Sequence, residues 1–206
     1  MKIFKSRQAA GELLAKRLKD IKADLVLGIP RGGVVVAAVV AKKLNLPLDI
    51  IVTRKIGAPG QEELALGAVD SNGEVVWEER LLEDLGLKIE VLAEKINSEQ
   101  EEIKRREQLY RGGKGNLEVQ GKRVILVDDG IATGATVLAA INFLKRHHVK
   151  KIIVAVPVVS KEAVGKIIKT ESKIVALEMP HHFQAVGQFY HEFEAVTDEQ
   201  VIQLMV

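Results

Sequence analysis

One stretch decides the fold class: Val124-Ile125-Leu126-Val127-Asp128-Asp129-Gly130-Ile131-Ala132-Thr133-Gly134-Ala135-Thr136. Its four leading apolar residues are typical of a buried parallel strand. Two carboxylates follow where that strand should end, and a loop of Gly, Ala and Thr then leads into a helical pattern. Such a loop presents free N–H groups to an anion, and the helix dipole favours negative charge there. The stretch therefore predicts a phosphate site beside an acid pair that suits a diol or a metal-bound group.

This stretch resembles the motif for phosphoribosyl pyrophosphate (PRPP) in the type I phosphoribosyltransferases, which has an apolar strand, two acids and then Thr-Gly-small-Thr. The resemblance implies that Asp128 and Asp129 hold the ribose hydroxyls. It also implies that the loop holds the 5′-phosphate, through Gly130, Ala132, Thr133, Gly134, Ala135 and Thr136. The implied fold is α/β, a doubly wound parallel sheet of that family with a β-hairpin lid and a small C-terminal hood. The alternative is a core strand that ends in a solvated Asp-Asp turn.

A second candidate anion site follows another apolar strand, which is predicted over residues 24–29. Its glycines allow the backbone to approach a ligand, and its arginine adds a bidentate donor. Both candidate sites follow carboxyl ends of predicted parallel strands, where open α/β sheets bind ligands. In the resembled family this position is the pyrophosphate loop, although the pattern alone also fits a tight turn into the helix predicted over residues 32–44. The residues of this loop are Pro30, Arg31, Gly32 and Gly33.

Residues 54–80 form the candidate lid. Arg54 and Lys55 begin it, and the run of Gly and Pro over residues 56–63 predicts a loop with little regular structure. Asn72-Gly73 lies between two apolar runs and predicts a β-hairpin. The resemblance implies a catalytic lid whose two cations, Arg54 and Lys55, stabilise the departing pyrophosphate. The alternative is a solvated surface loop with two ordinary cations.

The chain as a whole is predicted to form one domain over residues 1–206. Its core is expected at about 22–178 and its hood at about 179–206. A long charged helix is predicted over residues 87–110, within an insertion at about 87–111. Its thin apolar stripe could pack on its own domain or on a second subunit. The aromatic residues of the tail could stack on a base or form a satellite core. Further strands are predicted over 48–53, 123–128, 151–156 and 173–177, and further helices over 6–21, 135–147, 160–170 and 197–204.

Composition excludes several functional classes. The 206 residues are 47% hydrophobic and 28% charged with a net charge of +2, so bulk charge favours neither nucleic acid nor membrane. The absence of cysteine excludes disulfides, cysteine metal sites and thiol nucleophiles. The first residues lack the apolar segment of a secretory signal, and the longest apolar run, 34–41, is too short for a membrane span. We therefore expect a cytoplasmic protein.

The resemblance as a whole implies an enzyme that moves the 5-phosphoribosyl group from PRPP to a nucleobase-like acceptor and releases pyrophosphate. It implies Mg²⁺ as the cofactor, with Asp128 and Asp129 as its ligands, and a homo-oligomer, expected as a dimer. Along its whole length the chain is also similar to bacterial phosphoribosyltransferases whose acceptor is undefined.

Two other interpretations compete with this one. A catalytically silent regulator would keep the pocket to sense PRPP or a nucleotide. Such regulators in this fold usually add a nucleic-acid surface, and this chain has no strong basic stripe. A receiver-type signalling domain also places acids at the end of a strand, but it places them at the first strand. Asp128 and Asp129 follow a later strand, and a phosphorylation site has no need of Thr-Gly-Ala-Thr.

Overall fold

The computed structural model describes residues 3–113, 115 and 117–205, so Lys114 and Asn116, within a predicted glycine-rich break, lie outside the described residues. Short 3-10 turns occur at Ile89–Leu92 and Val186–Phe189. The helices and strands, in chain order, are α1 (Arg7–Leu18), β1 (Leu25–Gly28), α2 (Gly32–Leu44), β2 (Leu48–Ile50), β3 (Arg54–Ala58), β4 (Gln61–Val69), β5 (Val75–Trp77), α3 (Glu79–Asp84), α4 (Ala93–Arg111), β6 (Arg123–Val127), α5 (Ala135–Arg146), β7 (Lys151–Val158), α6 (Lys161–Ile168), β8 (Lys173–Glu178) and α7 (Asp198–Leu204).

A parallel five-stranded sheet in the order β2-β1-β6-β7-β8 forms the centre of the fold. Along β6, Val124 and Leu126 pack with α5 and α6, whereas Ile125 and Val127 pack with α1 and α2. Helices cover both faces, and this is why the strand is apolar throughout. The predicted doubly wound α/β fold is confirmed.

The order of the strands creates a crevice at one edge of this sheet. β1 and β6 are neighbours, with Gly28 beside Val127 at their carboxyl ends. The chain continues from β1 to β2 on one side and from β6 to β7 on the other. Ligands of open α/β sheets bind at such a switch point, just beyond the strand ends. Both predicted phosphate loops begin there.

The prediction of little regular structure over residues 56–63 is wrong. β3 and β4 form an antiparallel hairpin, and β5 extends it to a three-stranded sheet after the turn at Asn72-Gly73. Gly57 lies at an irregularity in the register, where a Cβ would approach the carbonyl of Glu62 to 2.5 Å. Gly60 has φ +74 in the tight turn. The glycines therefore permit a bulge and a turn between strands, instead of ending regular structure.

The long helix predicted over residues 87–110 is shorter than expected. α4 begins only at Ala93, and the short helix α3 precedes it without having been predicted. Part of the apolar stripe packs on its own chain: Leu92 and Ile103 are buried against residues of the β3–β5 sheet, whereas Ile89 is 46% exposed. The i,i+4 spacing predicts the pairs Glu101–Arg105 and Glu102–Arg106; the second forms at 2.7 Å, whereas Arg105 instead binds Glu102, three residues before it, at 2.6 Å.

The tail folds back onto the N-terminal segment. Phe4 forms a bridge with Tyr190, and a small aromatic cluster surrounds this contact. Tyr190 and Phe189 are buried, so these two aromatics serve packing. The spacing of Thr197 and Gln200 predicts a capping box, and α7 begins with it. Within the described ranges, every helix is too short or too polar to cross a membrane.

Candidate active site

The two candidate phosphate loops meet at the acid pair. A Cβ on Gly32 would overlap Oδ2 of Asp129, and a Cβ on Gly33 would lie 2.8 Å from Oδ1 of Asp128. Only glycine allows the backbone to lie this close to the carboxylates. The peptide bond between Pro30 and Arg31 is cis. Residues that are about 100 positions apart in the sequence thus form one continuous surface at the ends of β1 and β6.

This close approach predicts a stability effect. In Gly33→Ala the new Cβ would lie 2.8 Å from Asp128 Cα, and the backbone there must shift. We expect a loss of about 1–3 kcal/mol in the free energy of unfolding, measured by urea titration, because extra volume at a packed site is destabilising. Gly165→Ala in α6 is the matched control, since its Cβ would meet no described atom within 4 Å. Equal stabilities of the two variants would contradict the close packing.

Asp128 and Asp129 interact strongly with each other. The backbone N–H of Asp129 donates to Oδ1 of Asp128 at 2.8 Å. Burial, followed by the charge of Asp129, raises the pKa of Asp128 well above its ordinary value. Burial also raises the pKa of Asp129, and the positive charge of Arg7 opposes this rise. Hydroxyl donors or a bound cation would favour the ionised form of this pair.

Arg7 is a site residue that the sequence did not predict. It is the first residue of α1, and its Nε donates to Oδ2 of Asp129 at 2.7 Å. The same guanidinium donates to the carbonyl of Glu194 at 2.8 Å and lies 3.8 Å from the ring centroid of Phe193. Tyr190 donates its hydroxyl to the carbonyl of Asp129 at 2.6 Å. Arg7 and Asp129 are 122 positions apart, so no local pattern links them.

The loop between β6 and α5 and the first turn of α5 are held by their carbonyl groups. Ser160 Oγ donates to the carbonyl of Ala132, and Thr53 Oγ1 donates to that of Thr136 at 3.1 Å. Gly134 is the N-cap of α5 and has φ +87. The first N–H groups of a helix have no partner within it, so the start of α5 can bind an anion. This geometry agrees with the predicted phosphate loop.

Two of the predicted cations are paired with carboxylates outside the acid pair. Nη1 of Arg31 lies 3.5 Å from Asp198 Oδ1 in the hood, and Arg54 Nε donates to Glu99 Oε2 of α4 at 2.6 Å. Lys55 follows Arg54 on β3 and is half-buried. The role of these residues toward pyrophosphate therefore stays a prediction.

The hairpin sheet lies against the phosphate loop. Ala68 of β4 packs on Ala135 and Ala139 at the start of α5. Lys166 Nζ donates to Glu78 Oε1 at 2.6 Å and to the carbonyl of Thr133 at 3.4 Å. A cavity of about 300 Å³ lies in this area, between α3, α6 and the loop. The predicted lid thus adjoins the loop that it would cover.

The acid pair fits a magnesium ion by its chemistry. Mg²⁺ prefers oxygen ligands and is commonly held by one or two carboxylates together with waters and substrate phosphates. Asp128 and Asp129 supply such oxygens between the two loops. Among the residues that the structure describes, no group of three or more His, Asp or Glu could hold a metal alone. Phosphate oxygens of a substrate and waters would have to complete the coordination.

Comparison with known proteins defines the class to which this fold and site belong. The family described as the phosphoribosyl transferase domain matches residues 2–194. The chain belongs to this family, and its fold is the type I phosphoribosyltransferase fold.

Individual proteins of known sequence or structure are similar to this chain. The structure of TT1426 from Thermus thermophilus is 40% identical, has a TM-score of 0.81, and is matched over 100% of this chain and 98% of that one. A Mycobacterium tuberculosis H37Rv protein named "Putative phosphoribosyl transferase" is 38% identical over 207 residues. The match covers 100% of this chain and 47% of that protein, so this chain spans about half the length of the curated relatives it matches. A hypothetical protein from Neisseria gonorrhoeae with bound ppGpp is 14% identical with a TM-score of 0.55, over 100% of this chain and 96% of its own, and shows the fold alone.

Proposed function

We propose that this chain is a PRPP-dependent phosphoribosyltransferase that moves the 5-phosphoribosyl group to a nucleobase-like acceptor and releases pyrophosphate. The observation that carries the proposal is the meeting of two glycine-containing loops at Asp128 and Asp129. PRPP carries phosphate groups on both sides of a ribose diol, and this arrangement is complementary to it. Membership of the phosphoribosyl transferase domain family supports the same function.

Each part of the site has a role in this proposal. Asp128 and Asp129 accept hydrogen bonds from the ribose hydroxyls. The loop from Pro30 to Gly33 binds pyrophosphate, and the N–H groups at the start of α5 bind the 5′-phosphate. Asp128 and Asp129 would also hold Mg²⁺, which when bound would supply positive charge beside the pyrophosphate. Arg54 and Lys55 stabilise the pyrophosphate as it departs.

The reaction is a displacement at C1 of the ribose. The C1–O bond to pyrophosphate breaks and its electron pair leaves with pyrophosphate. A nitrogen of the acceptor forms the new C1–N bond, and its proton is taken up by the released pyrophosphate. The transition state resembles an oxocarbenium ion, as in glycoside hydrolysis. The protein contributes by positioning the reactants and placing charge, and closure of the hairpin excludes water.

The proposal is tested with a panel of nucleobases, PRPP and Mg²⁺, by measuring pyrophosphate release. We expect release that depends on one base, stops when Mg²⁺ is chelated, and exceeds the rate of a reaction without base. If PRPP binds but no base supports release, the PRPP-sensing regulator is the better interpretation. If PRPP does not bind, the transferase is contradicted, and if no nucleotide binds either, the regulator is contradicted as well.

The phosphate loop can be tested separately with ribose 5-phosphate. Gly134→Ala places a side chain at φ +87 and should shift the loop, because such a conformation costs about 1–3 kcal/mol for residues other than glycine. We expect the affinity for ribose 5-phosphate, measured by calorimetry, to fall severalfold. Gly121→Ala is the matched control, with φ +71 in a turn before β6. An equal affinity in the two variants would place the 5′-phosphate elsewhere.

A further inference from the structure

A cation outside the candidate pyrophosphate loop lies close against it and belongs to the N-terminal helix. A Cβ on Gly32 would lie 2.8 Å from Nε of Arg7, so this guanidinium touches the loop backbone. The same Nε donates to Asp129 at 2.7 Å. The side chain of Arg7 is only 11% exposed. One arginine therefore contacts the pyrophosphate loop and the acid pair at the same time.

The arginines that the sequence favoured are placed differently. Arg31 is 40% exposed and its guanidinium faces Asp198 at 3.5 Å. Arg54 is bound to the largely buried Glu99. Of these three arginines, Arg7 is the one whose guanidinium lies against both Gly32 and Asp129. A guanidinium pairs well with phosphate because its planar fork can donate two parallel hydrogen bonds.

The hood side of Arg7 has surroundings that are independent of Asp129. A cavity of about 390 Å³ lies between α1, α2 and the hood, with Arg7 in its wall beside Gln8, Val35 and Gln203. The face of Phe193 and the carbonyl of Glu194 hold the guanidinium from the hood side. These two contacts do not involve Asp129, so they can persist when a more highly charged group competes for Arg7. Asp129 would then accept the ribose hydroxyls.

We propose that Arg7 is a further substrate-binding residue whose guanidinium contacts the pyrophosphate group of PRPP. The proposal rests on the proposed function of the site, and it assigns to α1 a part in substrate binding. The loop backbone at Gly32 and the guanidinium of Arg7 bind the same group from adjacent positions. Ribose 5-phosphate lacks that group, so its binding loses no direct contact when Arg7 is replaced.

The test compares three ligands in the full chain by calorimetry with Mg²⁺ present: PRPP, inorganic pyrophosphate and ribose 5-phosphate. In Arg7→Ala we expect the affinities for PRPP and pyrophosphate to fall by about tenfold or more, the scale of a lost charge-assisted hydrogen bond. The affinity for ribose 5-phosphate should stay within about threefold of the parent, the spread usual for a group that loses no direct contact. Arg7→Lys keeps the charge without the fork and should give an intermediate loss. Arg17→Ala, an exposed residue on the same helix, should change none of these affinities.

Several outcomes would overturn the proposal. An equal loss for PRPP and ribose 5-phosphate would mean that Arg7 acts only through Asp129. Unchanged affinity for PRPP and pyrophosphate would exclude the contact. If Arg7→Ala does not fold, the same comparison is made with Arg7→Lys, where an equal effect on all three ligands is again contrary to the proposal. Failure of the parent chain to bind PRPP and ribose 5-phosphate would instead overturn the proposed function itself, and this inference with it.

Discussion

Asp129→Asn is expected to weaken Mg²⁺-dependent PRPP binding by about 10- to 150-fold, and Asp128→Asn is expected to do the same. Each carboxylate is proposed to accept ribose hydroxyls, and a hydrogen bond to a charged group contributes about 1.5–3 kcal/mol. An amide keeps the shape of the side chain but loses the charge. In Asp129→Asn it also removes the ion partner of Arg7. Calorimetric titration with PRPP measures the effect directly.

The matched control for these variants lies at the opposite end of the same strands. Asp24 precedes β1 and pairs with Arg123, the first residue of β6, at 2.6 Å. Asp24→Asn therefore removes a salt-bridged aspartate from the sheet without touching the candidate site. It should leave the affinity for PRPP unchanged. If both site variants bind PRPP like the parent, the acid pair does not hold the ribose.

Loss of the two hairpin cations is expected to lower kcat by about 100-fold, the scale of a lost preorganised donor. Arg54 and Lys55 are proposed to act when negative charge develops on the departing pyrophosphate. An interaction that exists only in the transition state affects kcat without weakening the ground-state complex. The affinity of Arg54→Ala/Lys55→Ala for PRPP should therefore stay within about threefold, since ground-state contacts are kept. Single-turnover kinetics with the best acceptor measures kcat, and calorimetry measures the affinity.

The ion pair of Arg54 requires a particular design for this experiment. Its partner Glu99 has a side chain only 10% exposed, and the loss of Arg54 would leave this carboxylate with the longer 3.7 Å contact to Lys95, which is destabilising at a largely buried charge. Arg54→Ala/Lys55→Ala should therefore be made together with Glu99→Gln and compared with Glu99→Gln alone. An equal loss of turnover in Glu99→Gln alone would give Arg54 a structural role.

The exposed tip of the hairpin at Pro59 and Gly60 should also become protected from proteolysis when PRPP binds, because closure of the lid would order it. If turnover survives in the variant with all three substitutions, and PRPP does not protect the tip from proteolysis, the prediction of a catalytic lid is wrong.

Local patterns were sufficient for the core of the fold. The helix predicted over residues 32–44 has those bounds in α2, because an apolar run begins after a Gly-Gly pair and ends before Asn45 and Pro47. β6 and α5 lie where the acid-pair motif placed them. The hairpin was harder to predict, since glycine and proline favour both an irregular loop and a strand with a bulge. Pairing of β3 with β4 decides between these two, and pairing is not a local property.

The sequence by itself determined the class of fold, the positions of the two candidate phosphate loops and the identity of the acid pair. Each of these depends on residues that are neighbours in the chain, so a buried strand, a small-residue loop and a helix start can be recognised together. Only the tertiary structure decided which side chains surround Asp129. Arg7 and Tyr190 reach it from the two ends of the chain, and Gly32 reaches it from the adjacent strand. Contacts of this kind arise from the packing of α1, the sheet and the hood, and packing between distant segments leaves no periodic pattern along the chain.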